Sequence, residues 1–308
     1  METYMKLVTY FCQPQQEKIM YDPLCIPTPN FPGILLDTGI LPLSELGFTY
    51  PDWNTAIAGS HPLCFKTLAA KLRQADLATL SILPRSSITL LAPIPQPRQD
   101  VLCIGSNYYP AGTPSEKRHP LDQTMYFSKR TFHLAGPGAV LPHHQDVTAS
   151  YLYEMELGVV LGKTIYQANE NEAAAAILGY TVFNDCTSAI LCKKFNQVYI
   201  GKSLPGFSVM GPYIVTADEF AAAPEFTITG KLNNEIRQTG NTVDMIKNTL
   251  AILVEVSRYT VLAAGTILST GTPQPITTRE NPLQVKPGDH ICGEISGVGQ
   301  LDCYIAEA

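Results

Sequence analysis

Short strand-like segments dominate the chain from residue 101 onward. Apolar and β-branched residues are grouped in short runs, and glycine, proline or asparagine separates one run from the next. The runs cover residues 101–105, 127–129, 136–141, 207–215, 227–232, 266–269, 290–295 and 301–305. Residues 242–262 form one longer helical pattern. Many short strands with few helices predict an α+β chain, mainly β, in which a rolled β core has helices packed outside it.

The first hundred residues have a different pattern. Residues 6–11 alternate like a strand, residues 65–77 have helical periodicity, and residues 88–91 begin another strand. A proline-rich passage after the first strand is expected to be loop-like. The run PIPQP at residues 93–97 is typical of a short linker. We therefore predict a small N-terminal α/β module of residues 1–98 and a main domain of residues 99–308.

Composition and charge exclude several classes of protein. The 308 residues carry a formal charge of −6, with 16% charged and 45% hydrophobic residues, which is typical of a globular protein rather than one that binds nucleic acid. Glu2 and Lys6 interrupt any signal-peptide core, and no apolar run approaches the ~18 residues of a membrane span. The eight cysteines form no CxxC pair and no zinc spacing. We expect a cytoplasmic protein with no nucleic-acid or membrane partner.

Two glutamates lie two positions apart at the start of a strand-like run. Glu154 and Glu156 lead into the apolar residues 157–161, and residues two apart in a strand point to the same side. Residues 169–178 predict a short helix, and residues 180–183 predict a second strand that ends near Asp185. All three candidate ligands are carboxylates, which suit a hard ion, so we predict Mg²⁺ or Mn²⁺, with Ca²⁺ as a weaker candidate. The alternative is that both glutamates are the solvent-facing half of an amphipathic strand.

A series of short motifs resembles the fumarylacetoacetate hydrolase superfamily over about residues 86–308. Each motif is weak alone, whereas their order and spacing together are specific. They are IGSNY (104–108), YEMEL (153–157), GYTVFND (179–185), GKS (201–203), MGP (210–212), Asn234-Glu235 with Gln238 and Asn241-Thr242, STGTP (269–273) and PGD (287–289). The resemblance implies a mixed β-sandwich roll in the C-terminal domain and a homodimer.

The resemblance also implies roles for individual residues. It makes Glu154, Glu156 and Asp185 the ligands of a divalent ion, and it places the catalytic Lys202 beside that ion. Four further residues are implied to contact the substrate: Tyr108, Lys129, Gly271 and Thr272. Family substrates are 2-oxo acids and 1,3-dicarbonyl compounds. The glycines form no phosphate-binding loop, so no second cofactor is expected.

Three positions depart from the family pattern. Family hydrolases carry N-Y-x-D-H, whose histidine activates water, whereas Pro110 and Ala111 stand at the acidic and histidine positions here. Ala189 replaces an arginine that many members have. Loss of a general base commonly costs ~10²- to 10⁴-fold in rate. Glu116 and His119, later in the same loop, are candidates for a displaced catalytic acid–base pair, and the alternative is that His119 is a solvated loop residue.

These residues leave three functional hypotheses open. The first is a divalent-metal enzyme that acts through a metal-bound enolate of a 2-oxo acid or 1,3-dicarbonyl compound and cleaves a C–C bond by hydrolysis or decarboxylation. The second is an isomerase, tautomerase or cyclase on a similar substrate, which needs no activated water. The third is a non-catalytic scaffold that has kept the fold. The altered pocket residues suggest a specialised substrate, such as an intermediate of secondary metabolism.

Overall fold

The computed structural model describes residues 4–14, 18–110, 112–119, 123–221, 224–276 and 284–307. Its strands are β1 (Lys6–Phe11), β2 (Ile19–Met20), β3 (Phe31–Leu36), β4 (Gly39–Pro42), β5 (Thr89–Leu90), β6 (Val101–Gly105), β7 (Met125–Lys129), β8 (Ala139–Leu141), β9 (Met155–Leu161), β10 (Ile177–Asp185), β11 (Ser208–Thr216), β12 (Thr227–Leu232), β13 (Glu235–Asn241), β14 (Ile267–Ser269), β15 (His290–Ile295) and β16 (Gly299–Ile305). The helices are α1 (Trp53–Ala58), α2 (Phe65–Gln74), α3 (Glu170–Ala176), α4 (Ala189–Phe195), α5 (Tyr199–Lys202) and α6 (Thr249–Ser257). The predicted class, mainly β with short helices, is confirmed.

Two sheets form the core. The larger has the order β4-β3-β1-β11-β10-β9-β14-β6-β7, with β5 paired to β1, and the smaller has the order β13-β12-β15-β16-β8-β2. Most neighbours are antiparallel, whereas β6 runs parallel to β14 and β8 runs parallel to both β16 and β2. The structure is therefore a mixed two-sheet arrangement, as the family resemblance predicted.

Strand β9 lies deep in the molecule and is buried along its whole length. Because strand side chains alternate, Met155, Leu157 and Val159 join one apolar cluster, which contains residues of the smaller sheet such as Ile291. Val160 belongs to the other cluster, on the opposite face of β9. Glu156 lies on the same face as Val160. The strand thus carries a carboxylate into a place where water is scarce.

The helix predicted over residues 242–262 is shorter in the structure. Residues Thr242–Asp244 form a 3₁₀ turn, and α6 begins only after Asn248, whose side chain accepts a hydrogen bond from the N–H of Ala251. Such an N-cap satisfies a backbone donor that would otherwise be unpaired, so it starts the helix there. Between the two, the N–H groups of Ile246 and Lys247 donate to Asn107, which holds this segment out of a helix.

The passage predicted to be loop-like contains a hairpin, so that prediction was wrong for residues 31–42. Strand β3 pairs with both β1 and β4, and β1 in turn pairs with β11 of the main sheet. Pro32 lies near the start of β3 and Pro42 ends β4, where a missing N–H is tolerated. The N-terminal strands extend the main sheet, and the predicted domain boundary near residue 98 stays a prediction.

Within the described residues, the structure contains no helix whose length and apolar character would let it cross a bilayer.

Candidate metal centre

Three carboxylates meet where β9 begins and β10 ends. Glu154 lies immediately before β9, Glu156 is the second residue of β9, and Asp185 ends β10. The backbone N–H of Asp185 donates to the carbonyl of Glu154 at 2.9 Å, so the strand pairing places these two residues side by side. One potential ligand atom from each of the three residues lies within 4.8 Å of the others. The structure brings together the residues that the sequence predicted as metal ligands.

Two lysines reach into the same cluster. The Lys202 ammonium donates to Glu154 Oε2 at 2.7 Å and to Asp185 Oδ2 at 2.6 Å. The Lys129 ammonium donates to the other Asp185 oxygen and to the carbonyls of Cys186, at 3.2 Å, and Phe207, at 2.6 Å. An ammonium has three N–H donors, so Lys129 has none left for a substrate, whereas Lys202 uses two of its three on carboxylates.

The lysines do not compensate the three carboxylates equally. Burial raises the pKa of Glu156 to about 8, and the neighbouring Asp185 carboxylate adds to the increase. Burial alone would raise the pKa of Asp185 as well, but Lys129 and Lys202 outweigh it and lower that pKa. Burial alone would lower the pKa of Lys202, but Asp185 and Glu154 raise it well above its usual value. Among the described residues, two lysines compensate three carboxylates, which leaves Glu156 with the least compensation.

The STGTP turn supports Glu156 from the other side. The Ser269 hydroxyl donates to Glu156 Oε2 at 2.5 Å, and the Gly271 N–H donates to the same oxygen at 2.8 Å. Gly271 has φ +90°, and a Cβ there would lie 2.8 Å from the Cβ of Asn107, so only glycine fits. In this structure Gly271 holds a carboxylate. Sequence reasoning missed Ser269, although the residue lies inside the motif that pointed to the turn.

Thr272 is engaged within the protein. Its hydroxyl donates to the carbonyl of Met155 at 2.9 Å and accepts a hydrogen bond from the Gln238 side chain. Any substrate contact of this hydroxyl would therefore add to two bonds that already orient it. Gln238 was recognised in the sequence only as part of a family motif.

The IGSNY segment places a tyrosine beside Glu156. The Asn107 amide donates to the carbonyls of Thr270, at 2.8 Å, and Lys247, at 2.9 Å, which ties the segment to the STGTP turn. Tyr108 is 4% exposed, and burial followed by the charge of Glu156 raises its pKa well above the usual value. The Thr270 side chain lies close enough to offset part of this increase, but the Tyr108 hydroxyl forms no hydrogen bond of normal geometry with any described residue. A buried, unpaired hydroxyl beside a metal-ligand candidate is suited to bind a further polar group.

The two candidates for a displaced acid–base pair lie on the surface. Glu116 and His119 are exposed, and the Tyr109 hydroxyl donates to the backbone oxygen of His119 at 2.8 Å. Among the residues that the structure describes, the His119 imidazole makes no hydrogen bond or ion pair with the three carboxylates of the cluster. Pro110 is exposed too, whereas Ala111 lies outside the described residues. Ala189 begins α4 and is exposed, so the position of the family arginine carries no charge near the cluster.

The donor set fits a hard divalent cation. All three candidate ligands are carboxylates, and oxygen ligands are those that Mg²⁺, Mn²⁺ and Ca²⁺ prefer. The raised pKa of Glu156 shows that the charge of its carboxylate is poorly compensated, and a divalent ion would supply the missing charge. Glu154, Glu156 and Asp185 would hold such an ion.

The chain combines a mixed two-sheet fold with three neighbouring carboxylates, where β9 begins and β10 ends, that could hold a metal ion. A family model described as the fumarylacetoacetate (FAA) hydrolase C-terminal domain matches residues 100–306. The chain belongs to the fumarylacetoacetate hydrolase superfamily, of which it is a divergent member.

Individual relatives agree with this placement. A functionally uncharacterised protein of Staphylococcus epidermidis is 38% identical over 223 residues, which cover 72% of this chain and 73% of the relative. The structure is similar to a fumarylacetoacetate hydrolase from psychrophilic Exiguobacterium antarcticum, with a TM-score of 0.81 and 26% identity over 99% of this chain and 100% of the other. It is also similar to a 5-carboxymethyl-2-hydroxymuconate delta-isomerase from Mycobacterium smegmatis, with a TM-score of 0.64 and 25% identity over 75% and 86% of the two chains. The relatives thus include both hydrolases and isomerases.

Proposed function

We propose that this protein is an enzyme that cleaves a C–C bond in a 2-oxo acid or a 1,3-dicarbonyl compound with the help of Mg²⁺ or Mn²⁺ held by Glu154, Glu156 and Asp185. The observation that carries the proposal is the convergence of three carboxylates within 4.8 Å, with Lys202 against two of them. When bound, the cation would act as a Lewis acid toward the substrate oxygens.

The side chains around the cluster have different roles in this proposal. Lys202 has one N–H beyond its two bonds to carboxylates, and this donor would stabilise negative charge that develops on a substrate oxygen. The unpaired Tyr108 hydroxyl would donate to the same part of the substrate. We propose a different role for Lys129 from the predicted one, because one of its three bonds inside the protein orients Asp185 and the other two bind backbone carbonyls.

Of the two forms of cleavage, decarboxylation needs fewer catalytic groups than hydrolysis. If CO₂ leaves from a carboxylate β to a carbonyl group, as in a 2-oxo acid with a second carboxylate on C3, the electron pair of the broken C–C bond passes to that carbonyl group, and the resulting enolate takes up a proton. Hydrolysis needs an activated water as well, for which the only candidates that we propose, Glu116 and His119, are exposed. The same surface position favours isomerisation as the second candidate function, and the isomerase among the similar structures supports it.

Proton NMR of a panel of 2-oxo acids and 1,3-diketones in D₂O, with Mg²⁺ and with an EDTA control, tests these functions. We expect magnesium-dependent loss of CO₂ or appearance of new acids. Deuterium exchange without cleavage would instead establish isomerase chemistry. If no compound reacts and Mg²⁺ leaves the thermal unfolding midpoint unchanged, the enzyme proposal is wrong and the scaffold hypothesis remains.

A matched pair of variants assigns any activity to the cluster. Glu154→Gln keeps the shape of a partly exposed ligand and removes its charge, and we expect at least about 100-fold lower activity because several kcal/mol of charge stabilisation is lost. Glu170→Gln makes the same change at an exposed residue of α3 and should leave the rate unchanged. Equal activities of the two variants would remove Glu154 from the mechanism. The predicted homodimer and cytoplasmic location stay predictions.

A further inference from the structure

We propose that Gln238 is a positioning residue that holds the two glutamate ligands and the STGTP turn in one fixed arrangement. The inference rests on the proposed function in that it concerns the same metal site. Its test uses metal binding alone, so it can fail independently of the reaction.

Gln238 joins three elements through its carboxamide. Its Oε1 accepts a hydrogen bond from the N–H of Met155 at 2.9 Å, and its Nε2 donates to the Thr272 hydroxyl and to the carbonyl of Pro273, the latter at 3.0 Å. The side chain is completely buried. All of its amide hydrogens and one acceptor site are used, so the amide is locked in one orientation.

These bonds matter for the metal site because Met155 lies between two of its candidate ligands. Met155 separates Glu154 from Glu156, and its N–H binds Gln238 while its carbonyl accepts from Thr272. Because Gln238 also binds Thr272, the three residues close a ring of hydrogen bonds around the peptide groups between the two ligands. Any shift of this backbone would change the spacing of the two carboxylates.

The structure reserves space for this side chain. Gly230 of β12 lies opposite Gln238 of β13, and a Cβ at Gly230 would come within 2.8 Å of Gln238 Oε1 and 3.1 Å of the Tyr153 ring. The pairing of β12 and β13 shifts register directly after this point. Glycine is thus needed at residue 230 because the amide of Gln238 and the ring of Tyr153 fill the room that a side chain would take.

Only an amide of this length supplies the pattern of donors and acceptor. Glutamate at residue 238 would offer acceptors to Thr272 and to the Pro273 carbonyl, where two donors are needed, and methionine would fill the same volume without any hydrogen bond. Partners that orient metal ligands without touching the metal commonly contribute 10- to 100-fold to metal affinity or activity. Gln238 has the geometry of such a partner.

The test measures Mn²⁺ binding to the full-length protein by electron paramagnetic resonance of the free ion. We expect Gln238→Met to unfold cooperatively and to bind Mn²⁺ about 10- to 100-fold more weakly than the unsubstituted protein. Gln74→Met, at an exposed residue at the end of α2, is the matched control and should bind Mn²⁺ normally. Equal Mn²⁺ affinity of Gln238→Met and the unsubstituted protein overturns the positioning role, whereas absence of Mn²⁺ binding by the unsubstituted protein overturns the metal site itself.

A second variant covers the case in which Gln238→Met does not fold. Thr272→Val removes the partly exposed hydroxyl that links Gln238 to the Met155 carbonyl, and it should weaken Mn²⁺ binding in the same direction. If both variants fold, the double variant should bind Mn²⁺ hardly more weakly than Gln238→Met, because residues in one network are not additive. Independent, multiplying effects of the two substitutions, or a normal Mn²⁺ affinity of Thr272→Val, would contradict the proposed ring.

Discussion

Lys129 was predicted to contact the substrate, which stays a prediction, and its bonds inside the protein indicate a second role. The family resemblance placed it near the substrate, and the structure does place it in the cluster. There it is completely buried, and its ammonium is bound by Asp185 and two backbone carbonyls. A buried charge needs every donor satisfied, because no water can replace a missing partner. We therefore interpret Lys129 as the counterion that keeps Asp185 ionised and oriented.

The stability of a Lys129→Met variant tests this interpretation. Removing one partner of a buried ion pair leaves an uncompensated charge and costs 3–5 kcal/mol as a rule; we expect about 3 kcal/mol because Lys202 still binds Asp185. Urea unfolding in EDTA gives the free energy of unfolding. Lys231→Met breaks a partly exposed pair with Glu294 at 3.4 Å and should cost at most about 1 kcal/mol. Similar losses in both variants would refute the counterion role.

At the scale of elements, the Glu255 carboxylate is one of the groups that attach α6 to its surroundings. Glu255 accepts a hydrogen bond from the Tyr126 hydroxyl of β7 at 2.6 Å and another from Lys247, which precedes the helix. Burial alone would raise the pKa of Glu255, but the hydrogen bonds from Lys247 and Tyr126 outweigh it and lower that pKa. The ionised carboxylate therefore stabilises the folded protein above the pKa of an unfolded glutamate, ~4.3. The contribution is lost as the pH falls through the lower, folded value.

Glu255→Gln should accordingly have a small and pH-dependent cost. Because the Glu255 side chain is 35% exposed, solvent screens the pair, and we expect a loss of about 0.5 kcal/mol at pH 7. At pH 3.5 the difference between the variant and the unsubstituted protein should shrink. Urea titrations at the two pH values measure it. A difference that stays constant or grows on acidification would show that the charge of Glu255 is not what stabilises the contact.

Over the whole molecule, the N-terminal residues share a core with the rest of the chain. Strand β1 pairs with β11 through Lys6 opposite Val215 and Leu7 opposite Ile214. The buried Trp53 belongs to the same apolar cluster as Ile214, and its indole N–H donates to the carbonyl of Val8 at 2.7 Å. Without residues 1–98, one edge of β11 and a part of this cluster would face water.

Expression of residues 99–308 alone tests whether the predicted main domain folds independently of residues 1–98. We expect this fragment to aggregate or to bind the dye ANS strongly, because the exposed edge of β11 and the apolar cluster lose their cover. Co-expression with residues 1–98 as a second chain should restore a soluble complex. A fragment that stays soluble and unfolds as cooperatively as the full-length protein would support an independent main domain.

Prediction from sequence succeeded where information is local. Alternation of apolar residues predicted β1, and short strand-like runs predicted β9 and β10. The two-residue spacing of Glu154 and Glu156 predicted that both carboxylates face one side. It failed where a distant partner decides the local structure. The contacts of Asn107 hold residues 246–247 out of the predicted helix, and pairing with β1 makes strand β3 out of a proline-rich passage.

By itself, the sequence determined the mainly β class, the family and the three carboxylates, because these depend on residue type and on spacing along the chain. Only the tertiary structure decided which side chains complete the site. Ser269 and Gln238 bond to the segment of Glu154–Glu156 from positions 113 and 83 residues away, and no periodicity in the chain records such contacts. The role of Lys129 likewise depends on three acceptors that only folding brings around its ammonium group. A buried ammonium is stable only where all its donors are bound.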